Sequence, residues 1–187
     1  MFPAHSNLTT KTLMSNLAIL SGLYRGRVIS SNIKEKVRPT SSKLRKSLFD
    51  ILGDLSGSCV LDLFAGTGSV GFEAASRGAS SVMFIEKNRR LSNSILKNTF
   101  LFDKTLMSVK HEDVYVFLEK NNSQFDVIFA DPPYSSVDLK KLVELAHNNL
   151  KPEGRLIIES SVRQNWNPEN GKIRNYGDTQ LTFFKNE

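Results

Sequence analysis

The 187-residue sequence predicts a doubly wound α/β domain with a mostly parallel sheet of about seven strands. Three observations lead there. Between Cys59 and Glu159, short apolar runs alternate with helix-periodic segments, and strands apolar on both faces call for helices on each side. A glycine-rich segment, Gly66-Thr67-Gly68-Ser69-Val70-Gly71, lies between the first such run and the first helical pattern, the context a ligand-binding glycine loop requires. The end of the chain breaks the rhythm, with two apolar runs flanking Gly177-Asp178-Thr179 as an antiparallel hairpin that closes the sheet.

The elements follow in order. Residues 1–16 are polar, with Lys11 the only charged side chain, and read as a flexible tail without the apolar stretch of a secretory signal. Residues 17–55 form a small extension. Leu17–Ser30 reads as two short strands around Ser21-Gly22 or Arg25-Gly26, and Arg38-Pro39-Thr40-Ser41 starts a helix with a hydroxyl cap. That helix places Leu44, Leu48, Ile51 and Leu52 on one stripe and leaves Lys43 and Lys46 outside it. The main domain takes residues 56–187. Its predicted strands are Cys59–Leu63, Ser81–Glu86, Leu106–Lys110, Phe125–Ala130 and Arg155–Glu159, followed by Lys172–Tyr176 and Gln180–Lys185. Its predicted helices are Ser69–Arg77, Asn88–Phe102, Val114–Lys120 and Val137–Leu150.

The formal net charge is +6, with 25 Lys and Arg against 19 Asp and Glu. Residues 1–55 carry nine basic and three acidic side chains, so the whole surplus lies there and the main domain is neutral. A basic attachment on a neutral body points to a nucleic-acid partner. The single cysteine, Cys59, forbids an intrachain disulfide, and a reducing, cytoplasmic setting is expected. His5, His111 and His147 are scattered, so no zinc-type spacing exists and no metal is expected. No apolar run approaches the roughly 20 residues that span a bilayer.

The glycines alone do not choose between a dinucleotide and S-adenosylmethionine. Asp62, at the end of the first main-domain strand, argues against a pyrophosphate and favours a cationic ligand, such as one bearing an ammonium and a sulfonium. Glu86 ends the second strand, where a carboxylate can accept from ribose hydroxyls of either cofactor. Asp113 follows the third strand, where it can accept from an adenine amine or else serve as a cap. Asp131-Pro132-Pro133-Tyr134 follows the Phe125–Ala130 strand. Two prolines make a rigid corner there, at the strand end that lines crevices in open α/β sheets. The Asp131 carboxylate and Pro132 carbonyl suit the two N–H groups of an exocyclic amine, whose lone pair they would aim at an electrophile. Tyr134 offers a flat face to a base lifted from its stack. Cys59 opens its strand at the wrong end to be a nucleophile, and Trp166 and His111 read as packing and strand-end residues.

The Asp62–Gly68 loop and Asp131–Tyr134 together resemble the motifs of amino-directed class I methyltransferases, whose sheet is Rossmann-like. Ser21-Gly22-Leu23-Tyr24-Arg25-Gly26-Arg27, Val37-Arg38-Pro39-Thr40 and Leu44-Arg45-Lys46-Ser47-Leu48-Phe49 are similar in order and spacing to the RsmD family. The resemblance covers roughly Leu17 to Phe184. It departs at Met1–Asn16, which lacks a counterpart, and at Ser21, where the family has the first glycine of a pair. It implies an S-adenosylmethionine-dependent enzyme that methylates N2 of one guanine in 16S ribosomal RNA, with an assembled or partly assembled small subunit rather than bare RNA as substrate; the chain is expected to act as a monomer. Asp62, Phe64, Ala65, Gly66, Thr67, Gly68, Glu86, Lys87, Asp113 and Val114 would then line the cofactor site. Asp131, Pro132, Pro133 and Tyr134 would hold the target base. Arg25, Arg27, Arg38, Thr40, Lys43 and Lys46 would face RNA. The rivals are a DNA adenine-N6 methyltransferase, a protein glutamine-N5 methyltransferase, a nicotinamide oxidoreductase and a non-catalytic RNA-binding module.

Overall fold

The structure, a computed structural model, describes residues 15–31, 40–134 and 137–186. The expected tail lies outside the described residues up to residue 14, as do Arg38 and Pro39 of the extension. The chain enters as a two-stranded antiparallel pair, β1 (Ser15–Ala18) and β2 (Val28–Ser31). The first strand therefore begins two residues inside the range assigned to the tail. Helix α1 (Ser42–Leu52) follows, with the Ser41 hydroxyl accepting from Leu44 N–H as its cap.

Seven strands then form one sheet. In chain order they are β3 (Cys59–Leu63), β4 (Ser81–Ile85), β5 (Leu106–Lys110), β6 (Phe125–Ala130), β7 (Leu150–Ser161), β8 (Lys172–Tyr176) and β9 (Thr179–Lys185). The spatial order is β5-β4-β3-β6-β7-β9-β8, parallel as far as β7 and antiparallel thereafter. The helices α2 (Ser69–Ser76), α3 (Arg89–Thr99), α4 (Val114–Lys120) and α5 (Leu139–His147) connect the parallel strands. They and α1 bury two apolar clusters, one on each face. Leu48, Phe49, Phe72 and Phe84 belong to one, and Leu61, Ile128, Leu142 and Ile158 to the other. Double-sided burial is why β3 and β6 read as nearly unbroken apolar runs.

Several boundaries differ from the sequence-based expectation, most by one to three residues, and those of two elements have a local reason. Helix α5 starts at Leu139 because the Asp138 carboxylate accepts from Lys140 and Lys141 N–H, and it ends at His147. Strand β7 begins five residues before Arg155 because Leu150 pairs with Phe125, and Glu153 and Gly154 bond to Asn186. Pro152 and Gly154 look like strand breakers in one dimension, but pairing on both sides overrides them.

The extension is fused to the body. Glu73 on α2 is completely buried and accepts from Leu20 N–H (2.8 Å), Ser21 N–H (3.0 Å) and Arg77 Nε (2.8 Å). Arg45 of α1, also completely buried, sits with Nε 3.7 Å from the same carboxylate and donates from Nη2 to Ala18 O. The turn between β1 and β2 rests on the last residue of α2, with Leu23 N–H on Ser76 O and Tyr24 N–H on Ser76 Oγ. Gly22 (φ 84°) is obligatory there, because a Cβ would lie 1.8 Å from Ser76 O.

Candidate active site

The order of the sheet reverses between β3 and β6, and crevices open at the carboxyl ends of strands flanking such a switch point. Register places the residues. Leu63 pairs with Ile85 on one side and Ala130 on the other, and Ala130 pairs with Ile158. The next residue on each strand is therefore Glu86, Phe64, Asp131 and Glu159, a row across β4, β3, β6 and β7. All four line one cleft of about 460 Å³, together with Gly66, Lys87, Leu91, Val114, Pro132, Pro133 and Tyr134. A recess of about 100 Å³ beside it holds Asp62, Ala65, Thr67 and Ser69 and shares Thr40, Phe64, Gly66 and Asp131 with the main cleft.

The loop is built to bring these groups together. Phe64 adopts a left-handed φ of 54°, a conformation worth on the order of 1–3 kcal/mol of strain for a non-glycine residue. That turn puts its ring on the cleft wall rather than in the sheet. Gly66 and Gly68 also have positive φ, and Gly68 N–H closes the turn onto Ala65 O at 2.7 Å. Gly71 has a different reason to be glycine: a Cβ there would lie 2.2 Å from the Phe84 ring, so it sets helix-to-strand packing rather than ligand approach. The Glu86 carboxylate ties the loop to β4, accepting Gly66 N–H at 2.8 Å through one oxygen and Asn88 N–H at 2.7 Å through the other.

Asp62 is 2% exposed, and one of its oxygens accepts Gly71 N–H at 2.9 Å. Burial pushes its carboxyl well above the ordinary carboxylate range, and the nearby Asp131 and Glu86 carboxylates add to the rise. The recess thus holds a buried acid, Asp62, whose ionisation is disfavoured by burial first and by the acids near it second. The site fits a ligand that brings positive charge and fits a pyrophosphate poorly, as expected for S-adenosylmethionine. Asp62, Gly66 and Glu86 are the groups that could hold it, and Phe64 and Val114 also line the cavities.

Other expected residues fall elsewhere. Asp113 is the N-cap of α4, its carboxylate accepting Tyr115 and Val116 N–H, and its neighbour Val114 lines the cleft instead. Thr40, expected to face RNA, is 8% exposed and lines both cavities, because α1 begins at the cleft and runs away from it. Lys43 and Lys46 are exposed on α1, Lys46 pairing with Asp50 at 2.7 Å. Arg25 and Arg27 are exposed at the turn docked on Ser76, with the Arg27 guanidinium 4.7 Å above the Tyr24 ring. Helix α2 begins at the cleft and ends at Ser76, so its eight residues set this pair about 12 Å down the flank of the molecule. Cys59 opens β3 at the opposite edge, its N–H bonded to Asp126. Trp166 packs on Phe184, and His111 Nε2 meets Lys87 O at 2.9 Å. The sequence reading missed Glu159. It ends a predicted strand just as Glu86 does, and the strand order alone reveals that it adjoins Asp131.

This strand order, with a glycine turn after the first main-domain strand and an Asp-Pro-Pro corner after its neighbour, defines a class I methyltransferase fold. A Precorrin-6y C5,15-methyltransferase from Geobacter metallireducens has the same fold at 14% identity, with a TM-score of 0.63 over 83% of this chain and 94% of that one. The chain belongs to the RsmD family: residues 17–185 match the family model described as Conserved hypothetical protein 95. It is 32% identical over 160 residues to the Ribosomal RNA small subunit methyltransferase D of Haemophilus influenzae, covering 82% of this chain and 83% of the relative. The Escherichia coli K12 protein of that name is 29% identical over 168 residues, with 84% of each covered. The solved Escherichia coli protein yhhF superposes with a TM-score of 0.81 at 28% identity, over 92% of this chain and 98% of that one. Among the described residues no helix is long and apolar enough to cross a membrane, and no group of three or more His, Cys, Asp or Glu could hold a metal ion.

Proposed function

We propose that the protein transfers a methyl group from S-adenosylmethionine to the exocyclic N2 amine of one guanine in 16S ribosomal RNA, acting as a monomer on the assembled or assembling small subunit in the cytoplasm. One observation carries this reading: Asp131, Pro132 and Tyr134 share a single cleft with the acid-lined glycine loop, across the β3–β6 switch point. The names of the family relatives support ribosomal RNA as the acceptor.

S-adenosylmethionine supplies an electrophilic methyl group on a sulfonium and leaves as the neutral thioether. The protein's own groups do the rest. Asp131 accepts one N–H of the target amine and the Pro132 carbonyl accepts the other, which draws the nitrogen out of conjugation and points its lone pair at the methyl carbon. With S-adenosylmethionine bound, the Asp131 carboxylate would take the amine proton released on methylation. Tyr134, 45% exposed at the cleft mouth, stacks on the extruded base. Phe64 walls the reacting atoms from water. Lys43 beside the cleft, and Arg25 and Arg27 further along, neutralise phosphates and position the RNA without reading its bases; Arg38 is assigned to the same role from the sequence.

The test is methyl transfer from labelled S-adenosylmethionine to undermethylated small subunits, bare 16S RNA and duplex DNA, followed by mapping of the modified base. Label at guanine N2 in the subunit is expected. Label confined to adenine N6 of duplex DNA would transfer the protein to the DNA-modifying class.

A further inference from the structure

The row of residues along the carboxyl edge of the sheet contains one acid that the proposed transfer has not used. Glu159 follows Ile158, the partner of Ala130, and so stands beside Asp131 on the next parallel strand. It is 5% exposed and lines the same cleft as Asp131, Pro132 and Tyr134. Neighbouring strands lie about 4.8 Å apart, within the reach over which an aspartate and a longer glutamate side chain converge. Asp131 and Glu159 thus offer two carboxylates from adjoining strands to one base edge in a shared cleft.

The bases differ in what adjoins their exocyclic amine. Guanine places a ring N–H, at N1, beside its N2 amine. Adenine places a bare ring nitrogen beside N6, and cytosine a bare ring nitrogen beside N4. An ionised carboxylate only accepts hydrogen bonds. Opposite a ring N–H it gains a charge-assisted bond; opposite a bare nitrogen, lone pair meets lone pair in a site with little water to screen them. With Asp131 on the amine, the acid on the adjoining strand faces that ring position.

We propose that Glu159 is the specificity-determining residue of the site, accepting N1–H of the target guanine and rejecting bases whose corresponding nitrogen is bare. The inference rests on the guanine-N2 reading above. Asp131 then provides chemistry common to every amine-bearing base, and Glu159 provides the choice among them.

The probe is 2-aminopurine, which keeps the N2 amine but has a bare N1. Small subunits are reconstituted with 16S RNA carrying either guanine or 2-aminopurine at the mapped position. The ratio of kcat/KM values for the two substrates is measured for wild type, Glu159→Gln and Glu159→Ala, with S-adenosylmethionine binding followed by calorimetry. Wild type is expected to prefer guanine on the order of 10–100-fold, the range of one charge-assisted hydrogen bond. Glu159→Gln, whose amide can donate to a bare N1 or accept from N1–H, is expected to bring the ratio to within about threefold. Glu159→Ala is expected to lose the preference together with rate on guanine. The ratio is internal to each variant, so a lower folded fraction does not alter it. A guanine preference undiminished in Glu159→Gln overturns the inference while leaving the guanine-N2 reading intact. Wild type failing to label guanine N2 at all overturns that reading instead.

Discussion

Glu73 and Asp62 lie eleven positions apart, both have side chains removed from water, and they meet opposite fates. Glu73 receives two guanidinium groups and two backbone N–H donors, so its charge is met within the chain. Asp62 receives one N–H, from Gly71, and its nearest ionisable neighbours are acids. A buried charge satisfied internally is a fastener, here between the N-terminal strands, α1 and α2. A buried charge crowded by others of its own sign is unfavourable alone and becomes favourable when a cation enters. The same distinction separates the two halves of the basic surplus: Arg45, counted among the basic residues of the extension, serves the fastener and faces no solvent.

Four variants break or sharpen that contrast. The largest effect is expected on turnover from Asp131→Ala, which removes both the proposed proton acceptor and one of the acids crowding Asp62. Methyl transfer should fall by about 10²–10⁴-fold while S-adenosylmethionine affinity, read by calorimetry, changes by less than about threefold. Turnover at the wild-type rate would remove Asp131 from the mechanism. Glu73→Ala comes next. It strands two guanidiniums and two backbone donors and should cost about 3–5 kcal/mol in urea unfolding; a loss below about 1 kcal/mol would show that the extension is held by apolar packing alone.

Asp62→Asn is expected to act in the opposite sense on stability. The folded chain keeps a proton on Asp62 at pH values where the unfolded chain has released it, so stability falls as pH rises above the ordinary carboxylate range. The cofactor-free variant should therefore melt higher than wild type, by a margin that widens from pH 4 to pH 8, and should bind S-adenosylmethionine about 10–100-fold more weakly. A variant that melts lower across that range would make Asp62 a second fastener. The smallest effect belongs to the exposed pair. Arg25→Glu with Arg27→Glu should weaken RNA binding on the order of tenfold at moderate salt and flatten its salt dependence, with cofactor affinity unmoved.

The sheet was legible in the sequence because its signal is local. Strands β3, β5 and β6 and helix α4 have the expected limits, since apolar runs bounded by turn residues need no distant partner to be recognised. The glycine turn and Asp131-Pro132-Pro133-Tyr134 were legible for the same reason. Residues whose meaning depends on what packs against them were not. Arg45 looks like any helix lysine or arginine until Glu73 lies beneath it. Thr40 joins the cleft only because α1 starts there, and Glu159 joins it only through the order of β6 and β7. Asp113 admitted two readings, and the structure shows the cap, made by one of its two carboxylate oxygens.

The fastener also has a consequence in time. The β1–β2 pair is two short strands, too little to persist alone, and its holding contacts come from far along the chain. Leu20 waits for Glu73, 53 residues later, and the Tyr24 hydroxyl waits for Asp103, 79 residues later. At about 5–20 residues per second, synthesis of Asp103 follows that of Tyr24 by about 4–16 s. The β1–β2 pair is thus secured only after the middle of the chain has been made. During that interval Tyr24 and Ile29, buried in the folded chain, are without the helices that later shelter them, and a nascent chain interrupted before Asp103 lacks the partner that completes the docking of the β1–β2 pair.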